Sequence, residues 1–117
     1  MSPELLDHFG NPRNVGELPS PPAVTVEVSN PICGDILRLS AIVQGGRVVE
    51  SRFKVRGCTA SIAAGSALTE LIAGQERRAL EQLTPPAVEK AVGGLSNESK
   101  HAAVLCVDAV RALLKGW

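Results

Sequence analysis

The glycine pair Gly45 and Gly46 limits the folds open to this chain more than any other feature. The pair separates an apolar, partly β-branched stretch at residues 35–44 from residues 47–56, where Val49, Phe53 and Val55 are apolar and basic residues share one side. Such glycine pairs favour a tight hairpin turn. A third stretch, residues 23–29, alternates valine with polar residues, as a half-buried strand does. The first half of the chain therefore predicts a three-stranded antiparallel sheet with one face toward a core.

Most of the remaining sequence predicts helices. Apolar side chains recur near a helical period, and prolines or glycines mark several of the ends. The predicted helices cover residues 3–10, 59–73, 76–83, 85–92 and about 97–115. Strands followed by helices in 117 residues predict a single α+β domain, residues 1–117, with the helices packed on one face of the sheet.

The composition argues against several classes of partner. Twelve basic side chains balance twelve acidic ones, and the chain has two Phe, one Trp and no Tyr, which leaves little for nucleic-acid binding. No apolar stretch approaches the ~20 residues that cross a bilayer, and the first ten residues lack the order of a signal peptide. An odd number of cysteines, three, favours reduced thiols over a disulfide framework. We expect a cytoplasmic protein that binds neither nucleic acid nor membrane.

The tripeptide Cys33-Gly34-Asp35 lies between the first two predicted strands. A thiol and a carboxylate two residues apart can face one ion, because the intervening glycine lets the backbone fold back. The alternative is that Cys33 is a small buried hydrophobe and Asp35 an acid of the turn.

Cys58 lies between the end of a basic strand and the start of a helix, directly after Gly57. The helix dipole and the neighbouring Arg56 both favour the thiolate form of a cysteine in this setting. The pattern predicts a thiol that binds metal or reacts, against the alternative of an inert cysteine near the helix cap.

His101 and Cys106 belong to the last predicted helix, five residues apart, and therefore lie about 140° from each other around its axis. His101 is either a surface residue or a ligand. Cys106, between two apolar residues, is predicted to be a core thiol. Because the chain has no Cys-x-x-Cys pair, spacing by itself predicts only some metal or thiol site.

Three segments of the chain form a recognisable set: Asp-His-Phe-Gly-Asn-Pro-Arg-Asn-Val-Gly at residues 7–16, Pro-Ile-Cys-Gly-Asp at 31–35 and Arg-Phe-Lys-Val-Arg-Gly-Cys-Thr-Ala-Ser at 52–61. Together they resemble the iron–sulfur cluster scaffold family of IscU and the N-terminal domain of NifU. The resemblance implies a small antiparallel sheet with helices on one side. It also implies a protein that accepts sulfur from a cysteine desulfurase, collects iron, builds a transient [2Fe–2S] cluster and passes it to apo-protein acceptors. By motif match, it gives ligand places to Cys33, Asp35, Cys58 and His101.

The chain departs from the family pattern at two places. The family has its third cysteine directly after the histidine, where this chain has Ala102. Cys106 lies one turn later on the same face, about 6 Å along the axis, and is a candidate metal ligand if the helix start unwinds or shifts. The stretch before the histidine that docks a dedicated chaperone, usually Leu-Pro-Pro-Val-Lys, is Leu-Ser-Asn-Glu-Ser at residues 95–99, so chaperone docking does not follow from the resemblance.

Two functions remain open at this point. The first is a non-enzymatic scaffold in which Asp35 is an exchangeable ligand, His101 a ligand or proton carrier, and Cys58 the first candidate to attack a desulfurase persulfide. The second is a module that builds no cluster. This module would bind Zn²⁺ through Cys33, Asp35, Cys58 and His101, which make a complete tetrahedral ligand set. Alternatively, it would act as a regulatory partner of the desulfurase.

Overall fold

The sheet is three-stranded and antiparallel, as the sequence predicts. In the computed structural model, which describes residues 2–31 and 34–117, strands β1 (Val24–Ser29), β2 (Ile36–Gln44) and β3 (Arg47–Arg56) pair in the order β1-β2-β3. Gly45 and Gly46 form the predicted turn, with φ of 61° and 76°. Such angles are readily adopted only by glycine.

Helices account for most of the rest of the described chain. They are α1 (Pro3–Gly10), α2 (Thr59–Ile72), α3 (Arg77–Glu81), α4 (Pro85–Ala91) and α5 (His101–Lys115), with a short 3₁₀ turn at Asn97–Ser99. The predicted final helix thus begins at His101 rather than near residue 97. The difference has a local cause, since the 3₁₀ turn leaves the Glu98 carbonyl oxygen in contact with the His101 ring.

The core lies between the sheet and the two long helices. Leu37, Leu39 and Phe53 on the inner face of the sheet are fully or almost fully buried, and α2 contacts β3 while α5 contacts β1 and β2. The α2 helix approaches closely at Gly65, where a Cβ atom would lie 2.6 Å from the Phe53 ring. Glycine at residue 65 therefore lets α2 pack closely against β3.

The segment Asp-His-Phe…Asn-Pro-Arg-Asn fixes the N-terminal region to the rest of the fold. His8 is buried and its Nδ1 contacts Ser66 Oγ of α2 at 2.8 Å. The chain then runs along the edge of β3, where Gly16 N donates to Phe53 O and Phe53 N donates to Asn14 O, both at 2.9 Å. This motif therefore supports the fold.

Membrane crossing requires about 20 apolar residues in one helix. Over residues 2–31 and 34–117, none of the helices has the length and apolar character to span a bilayer.

Candidate metal centre

Three side chains from separate elements meet at one end of the sheet. Asp35 immediately precedes β2, Cys58 is the N-cap residue of α2, and His101 is the first residue of α5. Their potential ligand atoms all lie within 4.8 Å of one another. The structure therefore brings together three of the five candidate ligands. Cys33 lies outside the described residues.

The Asp35 carboxylate forms the buried floor of this group, with 7% of the residue exposed. The turn before it is closed by Gly34, whose φ is 76°. Two backbone hydrogen bonds complete the turn: Gly34 N donates to Asn30 O at 2.7 Å and Asn30 N donates to Asp35 O at 2.9 Å. The positive φ of Gly34 is a conformation that glycine adopts readily; whether Cys33 and Asp35 face one ion stays a prediction.

Hydrogen bonds keep the Asp35 carboxyl ionised despite its burial. Burial alone would raise the pKa of Asp35, but donors from Ser61, from the Cys58 side chain and backbone, and from His101 outweigh it and hold the pKa below its usual value. Ser61 Oγ donates to Asp35 Oδ2 at 2.5 Å. The group therefore contains a fixed negative charge.

Gly57 makes room for this carboxylate. A Cβ atom at residue 57 would lie 2.6 Å from Asp35 Cγ and less than 3 Å from both carboxylate oxygens, closer than non-bonded atoms approach. The close approach of Asp35 to the start of α2 thus requires glycine at this position.

The Cys58 thiol forms the exposed side of the group. Its Sγ lies 3.5 Å from Asp35 Oδ2, 3.4 Å from Ser61 Oγ and 3.7 Å from His101 Nε2. The same cysteine lines a cleft of about 360 Å³, together with residues of α1 and of the loop that precedes α5. Solvent and a reaction partner can reach this sulfur.

The His101 ring is oriented by a backbone carbonyl. Its Nδ1 lies 2.9 Å from Glu98 O, and because a carbonyl oxygen can only accept, Nδ1 carries the hydrogen. Nε2 lies 3.3 Å from Asp35 Oδ2; with a hydrogen it donates to this carboxylate, and without one it offers its lone pair to a metal ion. Oxygen, sulfur and nitrogen lone pairs therefore converge, an arrangement that a shared proton or a metal cation stabilises.

Cys106 lies apart from this group. It is 1% exposed and belongs to the main hydrophobic core, as predicted for a core thiol. Burial raises the pKa of its thiol to about 12. Ala102 is also fully buried, so both positions face the inside of the fold. A role of Cys106 as a metal ligand stays a prediction that requires a rearrangement of α5.

Two contributors to the site were missed by sequence reasoning. Ser61 follows Cys58 by three residues, which places both side chains on one face of the first turn of α2, and this spacing is the signal that could have indicated it. The second contributor is Gly57. From the sequence it is only the neighbour of Cys58, but in the fold its missing side chain leaves the space that the Asp35 carboxylate occupies.

Comparisons with known sequences show which proteins this chain resembles. Residues 1–117 match the family model described as the NifU-like N terminal domain. An iron–sulfur cluster assembly scaffold protein IscU of Archaeoglobus fulgidus is 37% identical over 94% of this chain and 71% of its own length. The IscU scaffold protein of Azotobacter vinelandii is 33% identical over 99% of this chain and 92% of its own length. The nitrogen fixation protein NifU of Cereibacter sphaeroides is 40% identical over 97% of this chain, which spans 46% of that protein.

Solved structures share the fold. A proposed iron–sulfur cluster assembly scaffold protein for the SUF system of Fervidobacterium islandicum superposes with a TM-score of 0.78 at 17% identity, covering 97% of this chain and 96% of the other. A NifU-like N-terminal protein of Brucella abortus gives a TM-score of 0.65 at 20% identity, covering 95% and 77%. The match over the whole sequence, together with these relatives, shows that the chain belongs to the NifU-like N-terminal domain family of IscU-type proteins.

Proposed function

We propose that this protein is an iron–sulfur cluster assembly scaffold, a carrier rather than an enzyme, that binds iron and sulfide transiently and transfers the cluster to apo-proteins. The observation that carries the proposal is the convergence of the Asp35 carboxylate, the Cys58 thiol and the His101 imidazole within 4.8 Å. The names of the relatives from Archaeoglobus and Azotobacter support it. Because the Cys58 thiol is exposed and must stay reduced, the proposal assigns the protein to a reducing compartment, the cytoplasm.

The proposed ligands of a [2Fe–2S] cargo are Cys33, Asp35, Cys58 and His101. Such clusters usually have four thiolate ligands, and replacing thiolates with other donors changes their properties. A carboxylate is a hard donor and exchanges more readily on iron than a thiolate does. A mixed ligand set therefore suits a protein that must release what it builds, with Asp35 as the exchangeable ligand.

Cys58 is the proposed sulfur acceptor. Its thiolate would attack the outer sulfur of a persulfide on a cysteine desulfurase, forming a persulfide on Cys58 while the desulfurase cysteine leaves as a thiolate. The exposed Sγ and the adjacent cleft of about 360 Å³ support access for the donor. His101 Nε2, 3.7 Å from Sγ, is positioned to take the thiol proton.

The second candidate function is a zinc-binding module of the same fold that builds no cluster and acts on the desulfurase as a regulator. Ala102 favours it, because the residue that follows His101 offers no thiolate. The donors Cys33, Asp35, Cys58 and His101 would form a tetrahedral zinc site.

Anaerobic reconstitution separates the two functions. A scaffold incubated with ferrous iron, cysteine and a cysteine desulfurase should develop sulfide-to-iron charge-transfer absorption and then lose it to an added apo-protein acceptor. Stoichiometric zinc without such absorption would establish the module instead. Cys58→Ser should abolish metal retention in either case, so unchanged metal content in this variant would remove Cys58 from the site.

Cys106→Ala tests the remaining cysteine in the same assay. A core thiol should be replaced at a modest cost in stability and with no loss of cluster. Loss of cluster without unfolding would instead show that Cys106 supplies the third thiolate.

A further inference from the structure

We propose that Ser61 is a positioning residue of the metal centre, which holds the Asp35 carboxylate in ligating orientation through a hydrogen bond to Oδ2. The inference rests on the proposed function in one respect, that Asp35, Cys58 and His101 hold the cargo metal. It adds a residue that lies beneath the ligands and whose role is to fix one of them.

The geometry singles out one carboxylate oxygen. Asp35 Oδ2 accepts from Ser61 Oγ at 2.5 Å, and the same oxygen lies 3.5 Å from Cys58 Sγ and 3.3 Å from His101 Nε2. Ser61 is 2% exposed, so its hydroxyl is largely shielded from solvent. The atom that faces the other two donors is thus the atom that Ser61 holds.

The single hydroxyl proton of Ser61 has a preferred acceptor. A hydrogen bond to an ionised carboxylate is stronger than one to a neutral group, so this proton goes to Asp35. The Ser61 oxygen also lies 3.4 Å from Cys58 Sγ. Oδ2 accepts from Ser61 Oγ at 2.5 Å, and its longer contacts with Cys58 Sγ and His101 Nε2, at 3.5 Å and 3.3 Å, are the ones that a bound metal ion would replace.

Removing the hydroxyl should free the carboxylate to rotate. Asp35 would then spend part of its time with neither oxygen directed at Cys58 and His101, and a metal would have to reorder it on binding. Loss of a hydrogen-bond partner that orients a metal ligand typically lowers metal affinity about 10–100-fold. We expect Ser61→Ala to fall in this range and Ser61→Thr, which keeps a hydroxyl, to bind like the unchanged protein.

Ser66 provides a matched control in the same helix. It is also a buried serine, 0% exposed, and its hydroxyl is also hydrogen-bonded, accepting from Arg13 N at 2.9 Å. Its partners lie outside the metal centre. Ser66→Ala therefore removes a comparable buried hydrogen bond from α2 without touching Asp35.

The experiment is a titration of the metal-free protein with Co²⁺ alone under anaerobic conditions. The dissociation constant and the intensity of the thiolate-to-cobalt absorption are measured for the unchanged protein, Ser61→Ala, Ser61→Thr and Ser66→Ala, and thermal unfolding confirms that each variant folds.

A 10–100-fold weakening of Co²⁺ binding in Ser61→Ala, with Ser61→Thr and Ser66→Ala unchanged, supports the proposal. Equal affinities for Ser61→Ala and the unchanged protein, or equal weakening in Ser61→Ala and Ser66→Ala, would overturn it while leaving the proposed function intact. Failure of the unchanged protein to bind Co²⁺ with a cysteine ligand would instead refute the metal centre on which the proposed function rests.

Discussion

Substituting Gly57 with alanine tests whether the position of the Asp35 carboxylate controls metal binding. The backbone at Gly57 is outside the left-handed region, so alanine introduces no backbone strain there. The added methyl group would lie 2.6 Å from Asp35 Cγ. The effect of Gly57→Ala therefore arises from the collision between this methyl group and the carboxylate.

The size of the effect follows from the distances. Carbon atoms not bonded to each other approach to about 3.5–4.0 Å, so the carboxylate must retreat by about 1 Å. This movement lengthens the 2.5 Å contact between Ser61 Oγ and Asp35 Oδ2 beyond hydrogen-bond distance. Losing a hydrogen bond to a charged group costs about 1.5–3 kcal/mol of unfolding free energy. We expect metal affinity to fall at least about 10-fold, as it does when the partners that orient a ligand are lost.

The assay combines urea unfolding of the metal-free protein with a Co²⁺ titration of the same variant. Gly10→Ala is the matched control, because Gly10 also lies outside the left-handed region and a Cβ atom there meets nothing within 4 Å. This control should keep both its stability and its metal affinity. A folded Gly57→Ala protein that binds Co²⁺ as tightly as Gly10→Ala would refute the reasoning, since it would show that metal binding does not depend on where Asp35 lies.

Three further predictions concern the core and the pH dependence of stability. Gly65→Ala should lower the unfolding free energy by about 1–3 kcal/mol, because its methyl group would overlap the Phe53 ring. Its Co²⁺ affinity should match that of the unchanged protein. A loss of affinity as large as that of Gly57→Ala would contradict the separation of core and metal centre. The pKa of Asp35 is lowered in the folded state, so its contribution to stability is complete above its unfolded pKa of ~3.9 and is lost as the pH falls through the lower folded value. Asp35→Asn should therefore flatten the acid side of the stability profile in urea unfolding, and an identical profile would count against the hydrogen bonds. The pKa of Cys106 is raised to about 12 in the folded state. The contribution of this thiol to stability is therefore complete below its unfolded pKa of ~8.5 and declines by up to about 1.4 kcal/mol per pH unit above it. Cys106→Ala should remove this decline, and an unaltered alkaline slope in urea unfolding would disprove the prediction.

Local sequence patterns determined the elements of this protein. The turn at Gly45 and Gly46 needs backbone angles that glycine supplies, and the period of apolar residues distinguished strands from helices. The start of α5 was less predictable. Residues 97–100 have helical character in the sequence, but the bond between the His101 ring and the Glu98 carbonyl belongs to a specific conformation and leaves no periodic signal.

The sequence also supplied the identity of most candidate ligands, chiefly through motif resemblance. Composition and spacing by themselves predicted no more than some thiol or metal site. The reason is that Asp35, Cys58 and His101 are far apart along the chain and form no compact spacing pattern. Packing of α2 and α5 against the sheet brings them within 4.8 Å. Only the tertiary structure showed that Ser61 donates a hydrogen bond to the Asp35 carboxylate and that Gly57 leaves room for it. A hydrogen bond or a close approach between residues distant in sequence depends on distances that only the packed fold fixes.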